Sequence, residues 1–179
     1  MRLLSPEQIN AKLKTIKTFA FDVDGVFTDG TMMLMPNGEL LRSMSTRDGY
    51  ALQYAIKKGY KVVIITGGAS EWVQKRFEHL GVKDIFGSVR DKLSVFKDYA
   101  MDYQLNREET LFMGDDLPDY AVMKHVGLAV CPKNAATEIL DIAHYISPFE
   151  GGKGCVREII EKTLRTQNNW HIDEQIKSI

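Results

Sequence analysis

Phe19-Ala20-Phe21-Asp22-Val23-Asp24-Gly25-Val26 is an apolar, β-rich run that breaks into two aspartates and a glycine. A continuous apolar strand of this kind is buried on both faces, as in parallel sheets. Acids just past its carboxyl end lie where open α/β sheets bind ligands. Asp115-Asp116 repeats the placement after the apolar run from Thr110 to Gly114. Two carboxylates about 4 Å apart repel by roughly 4 kcal/mol at an effective dielectric of 20, and a bound dication turns that repulsion into attraction.

Outward from this strand the pattern alternates. Upstream, Ser5-Pro6-Glu7-Gln8 forms a capping box with proline at the first helical position, opening a helix through about Ile16. Downstream, Thr31 to Met35 and Leu40 to Ser45 flank Pro36-Asn37-Gly38-Glu39, and Asn-Gly predicts a β-hairpin inserted directly after the first strand. A helix from Arg47 ends at Gly59, and Lys61 to Thr66 is the second core strand. Ser70 caps a helix to Leu80, Asp84 to Gly87 is a short strand, and Asp91 caps a helix to about Tyr103. After the strand at Thr110 come a helix over Leu117 to His125, a strand over Leu128 to Val130, a helix over Asn134 to Ala143 and a last strand at Tyr145-Ile146. Such alternation gives a mainly parallel sheet covered by helices on both faces.

The 179 residues, 44% of them hydrophobic, suffice for a single domain with its own core, and a net charge of -1 lacks the basic excess of a nucleic-acid binder. Cys131 and Cys155 have no metal-ligand spacing and read as two free thiols in a reducing compartment. No apolar run is long enough for a membrane span and no leader pattern opens the chain, so a cytoplasmic protein without nucleic-acid or membrane partners is expected.

The expected carboxyl edge of the sheet collects Asp22 and Asp24, then Thr66, then Asp115 and Asp116, with Lys92 opening a nearby helix. That inventory suits phosphoryl transfer. Asp22 is the candidate nucleophile, and Asp24 the candidate acid that protonates the leaving oxygen and then the base that activates water. Magnesium takes oxygen ligands from one or two carboxylates plus waters and phosphate, which fits Asp22, Asp115 and the backbone carbonyl of Asp24. The Thr66 hydroxyl, the N–H groups of Gly67 and Gly68, and Lys92 are placed to hold the phosphoryl oxygens, with Asp116 orienting Lys92. Each residue also has a plainer use. Asp-x-Asp before glycine makes turns, Thr66 ends a strand, a first-turn lysine is commonly solvated, and Asp115-Asp116 caps the next helix.

Asp22-Val23-Asp24-Gly25-Val26, Ile65-Thr66-Gly67, Lys92 and Gly114-Asp115-Asp116 resemble the four motifs of the haloacid dehalogenase superfamily of phosphatases, from about Thr18 to Asp119. The stretch Asp22 to Gly30, the hairpin, Ser45 to Gly49 and Gly151 to Glu158 extend the similarity to its capless branch acting on eight-carbon keto-sugar acid phosphates. The resemblance implies a Rossmann-like three-layer sandwich with an inserted hairpin flap (about 29–46), a C-terminal segment (about 150–179) and no large cap domain. It also implies a magnesium enzyme whose homotetramer closes each site with the flaps and C-terminal segments of neighbours, and substrate contacts at Ser45, Thr46, Arg47, Asp48, Gly49, Arg76 and Lys92. Gly68 departs from the pattern, since arginine usually follows Thr-Gly there. Three alternatives stay open: a phosphatase of nine-carbon sialic-acid-like sugar phosphates, a phospho-aspartate receiver domain, and a catalytically silent regulator.

Overall fold

The opening apolar run forms strand β1 (Thr18–Phe21), every residue of it buried, at the centre of the sheet in a computed structural model that describes residues 3–172. The other strands of the sheet are β4 (Lys61–Ile65), β5 (Asp84–Phe86), β6 (Thr110–Met113), β7 (Leu128–Cys131) and β8 (Tyr145–Ile146). Their spatial order is β5-β4-β1-β6-β7-β8, all parallel. The chain winds outward from β1 through β4 to β5 and then crosses back to β6 on the other side. The carboxyl end of β1 is therefore the topological switch point, where a crevice opens between diverging connections. In register, Phe21 pairs with Ile64 and with Met113, so the residues that follow, Asp22, Thr66 and Asp115, emerge side by side.

Alternate side chains along each strand feed two cores. Phe19, Phe21, Val62, Ile64, Leu111 and Met113 face α1 (Pro6–Leu13), α2 (Thr46–Lys57), α3 (Glu71–His79) and α7 (Cys155–Thr166). Ala20, Val63, Ile65, Phe112, Ala129 and Cys131 face α4 (Lys92–Asp102), α5 (Tyr120–Met123) and α6 (Thr137–Ile142). On the first face Phe27 meets Phe21 and Phe77 edge to face, at centroid distances of 5.3 and 4.9 Å. Each such ring contributes about 1.5–3 kcal/mol by burial, which fastens the loop carrying Asp22 and Asp24 to α3.

The helix starts follow the sequence cues. Ser5 and Gln8 form the capping box, and Ser45, Ser70 and Asp91 cap α2, α3 and α4. The expected helix at Leu117 instead begins as a 3-10 turn, Leu117–Asp119, and contains only four α-helical residues. Pro118 favours the tight first turn, and Asp119 turns inward to make bonds described below.

The hairpin also forms, as β2 (Met33–Leu34) and β3 (Leu40–Leu41), but its turn differs from the two-residue Asn-Gly type. Gly38 N–H donates to Met35 O at 2.9 Å and Gly38 has φ of +86°, so Pro36 and Asn37 fill a turn closed by a left-handed glycine. Met33 and Leu34 are exposed, which removes them from the domain's own core.

Beyond α7, Gln167 donates to the carbonyls of Leu13 and Ile16, and Trp170 packs on Tyr54 with the rings tilted and centroids 4.5 Å apart. The tail through His171 thus docks on its own chain, Ile172 is fully exposed, and 173–179 lie outside the described residues. Cys131 and Cys155 are free and buried. Burial pushes the Cys131 thiol up to about 12, and neighbouring Asp115 adds to it, so this thiol stays protonated at neutral pH.

Candidate active site

Lys92 is the hub of the crevice. Its ammonium, 4% exposed, lies 2.8 Å from Asp22 Oδ1 and 2.7 Å from Asp119 Oδ1. Asp119 is fully buried, and its other oxygen accepts from the N–H groups of Asp115 and Asp116 at 3.1 and 3.4 Å. This corrects the role expected of Asp116, whose carboxylate caps the Leu117 N–H at 2.8 Å. The acid that orients Lys92 is Asp119, three residues further on. One glycine makes the arrangement possible: a Cβ on Gly114 would overlap the Asp119 side chain.

Asp22, Asp115 and Asp119 place one oxygen each within 4.8 Å of one another. One ammonium cannot neutralise three carboxylates. Burial, followed by the charge of Asp119, pushes Asp22 up to about 7 against the pull of Lys92. Burial and then Asp22 and Asp119 push Asp115 up to about 7. Burial alone would lower Lys92, but Asp119 and Asp22 more than offset it and hold the ammonium charged.

The oxygens left over define the cation's place. Both oxygens of Asp119 are occupied by hydrogen bonds, whereas Asp115 Oδ1 is buried with no partner. A buried unpartnered carboxylate oxygen is costly. A divalent cation held by Asp115 and Asp22 removes that cost, and hard oxygen donors are what magnesium prefers. Gly25 supports the same pair, because with φ of +83° it lets its backbone approach where a Cβ would overlap the Asp115 carboxylate. Gly151 and Gly152 in turn pack on that loop, Gly152 N–H donating to Val26 O at 2.9 Å. The glycine-rich segment is therefore a backbone buttress beneath the aspartates.

These shifts fix a pH dependence. Between the ordinary carboxylate value of 3.8 and about 7, Asp22 and Asp115 bind more protons folded than unfolded. Their contribution to stability is complete in acid and is lost as pH rises through about 7. A cation must displace those protons to bind. Magnesium is therefore expected to raise the melting temperature more at about pH 8 than at about pH 5, read by calorimetry with and without the ion. Equal increments at both values would contradict the assignment.

A cavity of about 510 Å³ opens over these groups, lined by Asp22, Asp24, Thr66, Gly67, Gly68, Lys92, Asp115 and Asp116. Thr66 Oγ1 accepts from Gly68 N–H at 3.1 Å, leaving its own hydrogen free to donate. The Gly68 N–H expected to face a phosphoryl oxygen is used internally. Asp24 sits at the mouth, forked by Arg42 from the hairpin, and Arg90 lines the same cavity. Both arginines escaped the sequence reading. Arg42 had a discernible signal, a lone cation ending an otherwise apolar hairpin arm.

The remaining expected contacts are elsewhere in the chain. Ser45 and Arg47 line a separate cavity of about 590 Å³ against α7, with Lys153 and Arg157. Thr46 is exposed in the first turn of α2. Asp48 is fully buried and accepts from Arg157 N–H at 2.7 Å, capping the start of α7. Gly49 is buried against Arg76, whose Nη2 would lie 3.1 Å from a Cβ there. Within this chain Asp48 and Gly49 are packing residues, the one capping α7 and the other set against Arg76. Arg76 braces α3 on α2 and does not line the cavity of acids.

Residues 82–159 match the model of the haloacid dehalogenase-like hydrolases. The chain is 35% identical over 159 residues to 3-deoxy-D-manno-octulosonate 8-phosphate phosphatase KdsC of Escherichia coli strain B / BL21-DE3, covering 89% of this chain and 85% of that protein. It superposes with a TM-score of 0.89 and 32% identity on the crystal structure of 3-deoxy-D-manno-octulosonate 8-phosphate phosphatase from Moraxella catarrhalis in complex with magnesium, phosphate and KDO, covering 92% and 94% of the two chains. The cobalt-bound form of the deoxy-D-mannose-octulosonate 8-phosphate phosphatase YrbI from Haemophilus influenzae is 29% identical, with a TM-score of 0.84 over 88% and 92% of the chains.

Proposed function

The chain belongs to the haloacid dehalogenase-like hydrolases, in the family of the 3-deoxy-D-manno-octulosonate 8-phosphate phosphatases, and from that membership we propose how its residues carry out the hydrolysis. The substrate is the 8-phosphate of the eight-carbon keto-sugar acid, and the products are the free sugar acid and phosphate, on the route to lipopolysaccharide. The observation that carries the residue assignments is the buried set of Asp22, Asp115 and Lys92, with one carboxylate oxygen left unpartnered at the floor of a polar cavity.

Asp22 would attack phosphorus through the oxygen not bonded to Lys92, forming an aspartyl-phosphate. Asp24 gives a proton to the departing sugar oxygen, then takes one from the water that cleaves the acyl phosphate. Lys92, held by Asp119, and the Thr66 hydroxyl hold the phosphoryl oxygens as charge develops on them. Asp22 and Asp115, with the Asp24 carbonyl, would hold magnesium, which would supply charge neutralisation for the phosphoryl group.

We read 1–179 as one catalytic domain acting in the cytoplasm; among the described residues no helix is long and apolar enough to cross a membrane. The exposed Met33, Leu34, Leu40 and Leu41 of the flap support an oligomer, the tetramer being our proposal. The receiver and silent-regulator alternatives are set aside by family membership.

Gly68 favours keeping one rival, the nine-carbon sugar acid phosphate, because a bare backbone at the mouth admits a longer leaving group. Catalytic efficiency measured side by side on the two phosphates, with magnesium, tests the choice. A clear preference for the eight-carbon compound is expected, and equal efficiencies would defeat the specificity assigned here.

A further inference from the structure

Arg42 leaves β3 and turns back over the acids. Its guanidinium forks onto Asp24, Nε to Oδ1 at 2.6 Å and Nη2 to Oδ2 at 3.2 Å, while Nη1 donates to the Leu40 carbonyl at 3.1 Å. The Arg42 side chain is 7% exposed and that of Asp24 26%, so the pair is partly buried at the cavity mouth. Both oxygens of Asp24 are thereby engaged, and while the fork holds, the carboxyl group faces the guanidinium rather than a leaving alcohol. Turning it to the leaving oxygen is favoured when the guanidinium has another partner.

Two features identify that partner. Arg42 stands in the wall shared by the cavity of acids and a neighbouring cavity of about 310 Å³, whose lining includes Ser70, Ile85 and Ser88 and the acids Asp24 and Glu71. Among the described residues lining that second cavity, Arg42 is the only cation. Gly68 lies beside the fork: a Cβ there would be in ordinary contact, 3.5 Å from Nη2 and 3.4 Å from Asp24 Oδ2. Of the other cations, Lys92 already holds two acids, and Arg90 lines the cavity of acids without reaching its neighbour.

We propose that Arg42 selects an acidic leaving group: its guanidinium exchanges the Asp24 carboxylate for the carboxylate of the substrate, seated in the second cavity, and the exchange releases Asp24 to the leaving oxygen. The proposal rests on the sugar acid phosphatase function above. A guanidinium binds any carboxylate through the same two-pronged geometry, so the exchange trades like for like. A neutral leaving group offers no such partner and leaves Asp24 clasped.

The test compares catalytic efficiency on the sugar acid phosphate and on its methyl ester, which differ only in the carboxylate charge. The full-length enzyme is expected to favour the acid by about 10- to 100-fold, the worth of one charged hydrogen bond. Arg42→Ala should bring that ratio close to one, and Arg42→Lys should leave it intermediate, because an ammonium lacks the fork. Adding Gly68→Arg to Arg42→Ala, which returns a cation from the opposite wall, should restore part of the preference. A ratio unmoved in Arg42→Ala, or one that collapses in Arg90→Ala instead, overturns the proposal while leaving the phosphatase intact. Failure of the wild type to hydrolyse the acid phosphate at all overturns both. Should Arg42→Ala not fold, Arg42→Lys carries the same comparison.

Discussion

Asp22→Asn is expected to abolish phosphate release, by about 10⁴-fold or more in kcat, while making the metal-free protein more stable. Asparagine keeps an oxygen for the Lys92 ammonium, now 2.8 Å from Asp22 Oδ1, but its amide is no nucleophile and forms no acyl phosphate. It also removes one negative charge from a buried set in which three carboxylates surround one lysine. At about pH 8 the wild-type Asp22, pushed up to about 7 by burial and by Asp119, must ionise at a cost to the fold; asparagine bears no such cost. The melting temperature without metal should rise at that pH by about 2–4 °C for each kcal/mol relieved, and the increment given by magnesium should shrink. A dead but less stable variant would instead indicate that Asp22 is a structural acid. Retained turnover would remove it from the chemistry altogether.

That combination of effects was half visible in the sequence. The strand ending at Asp22, the parallel alternation, and the caps at Ser5, Ser45, Ser70 and Asp91 are local signals, written in residues within a turn of one another. The acids at the strand ends could be grouped because a parallel sheet brings equivalent strand ends to one edge. Partnerships across the crevice had no such signal. Lys92 and Asp119 are 27 positions apart, and Arg42 and Asp24 18 apart. Asp119 in Leu117-Pro118-Asp119 looks like a helix's first-turn acid, and only the 3-10 start turns it inward. Asp48 had no local signal either: the resemblance assigns it to substrate, while its neighbour in space is the N-terminus of α7, more than 100 residues away.

Asp119 is where that difference becomes measurable. Asp119→Ala removes the second carboxylate from Lys92, strips the acceptor from the Asp115 and Asp116 N–H groups, and leaves a void against Gly114. Lys92 keeps Asp22 as a partner, but a buried N–H left without its acceptor costs about 1–3 kcal/mol, so unfolding in urea should shift by that order. Asp119→Asn does not repair the loss, because its single oxygen can serve either Lys92 or the turn, and its NH₂ then opposes a donor. A displaced Lys92 should lower kcat by about 10²-fold or more, in the range seen when a preorganised donor is lost. Asp116→Ala gives the contrast: it removes one cap at Leu117, worth about 0.5–2 kcal/mol, and should leave kcat near the wild-type value. If the two variants behaved alike, the ammonium would not be positioned by Asp119, and the buried hydrogen bonds that distinguish the two acids would have no catalytic consequence.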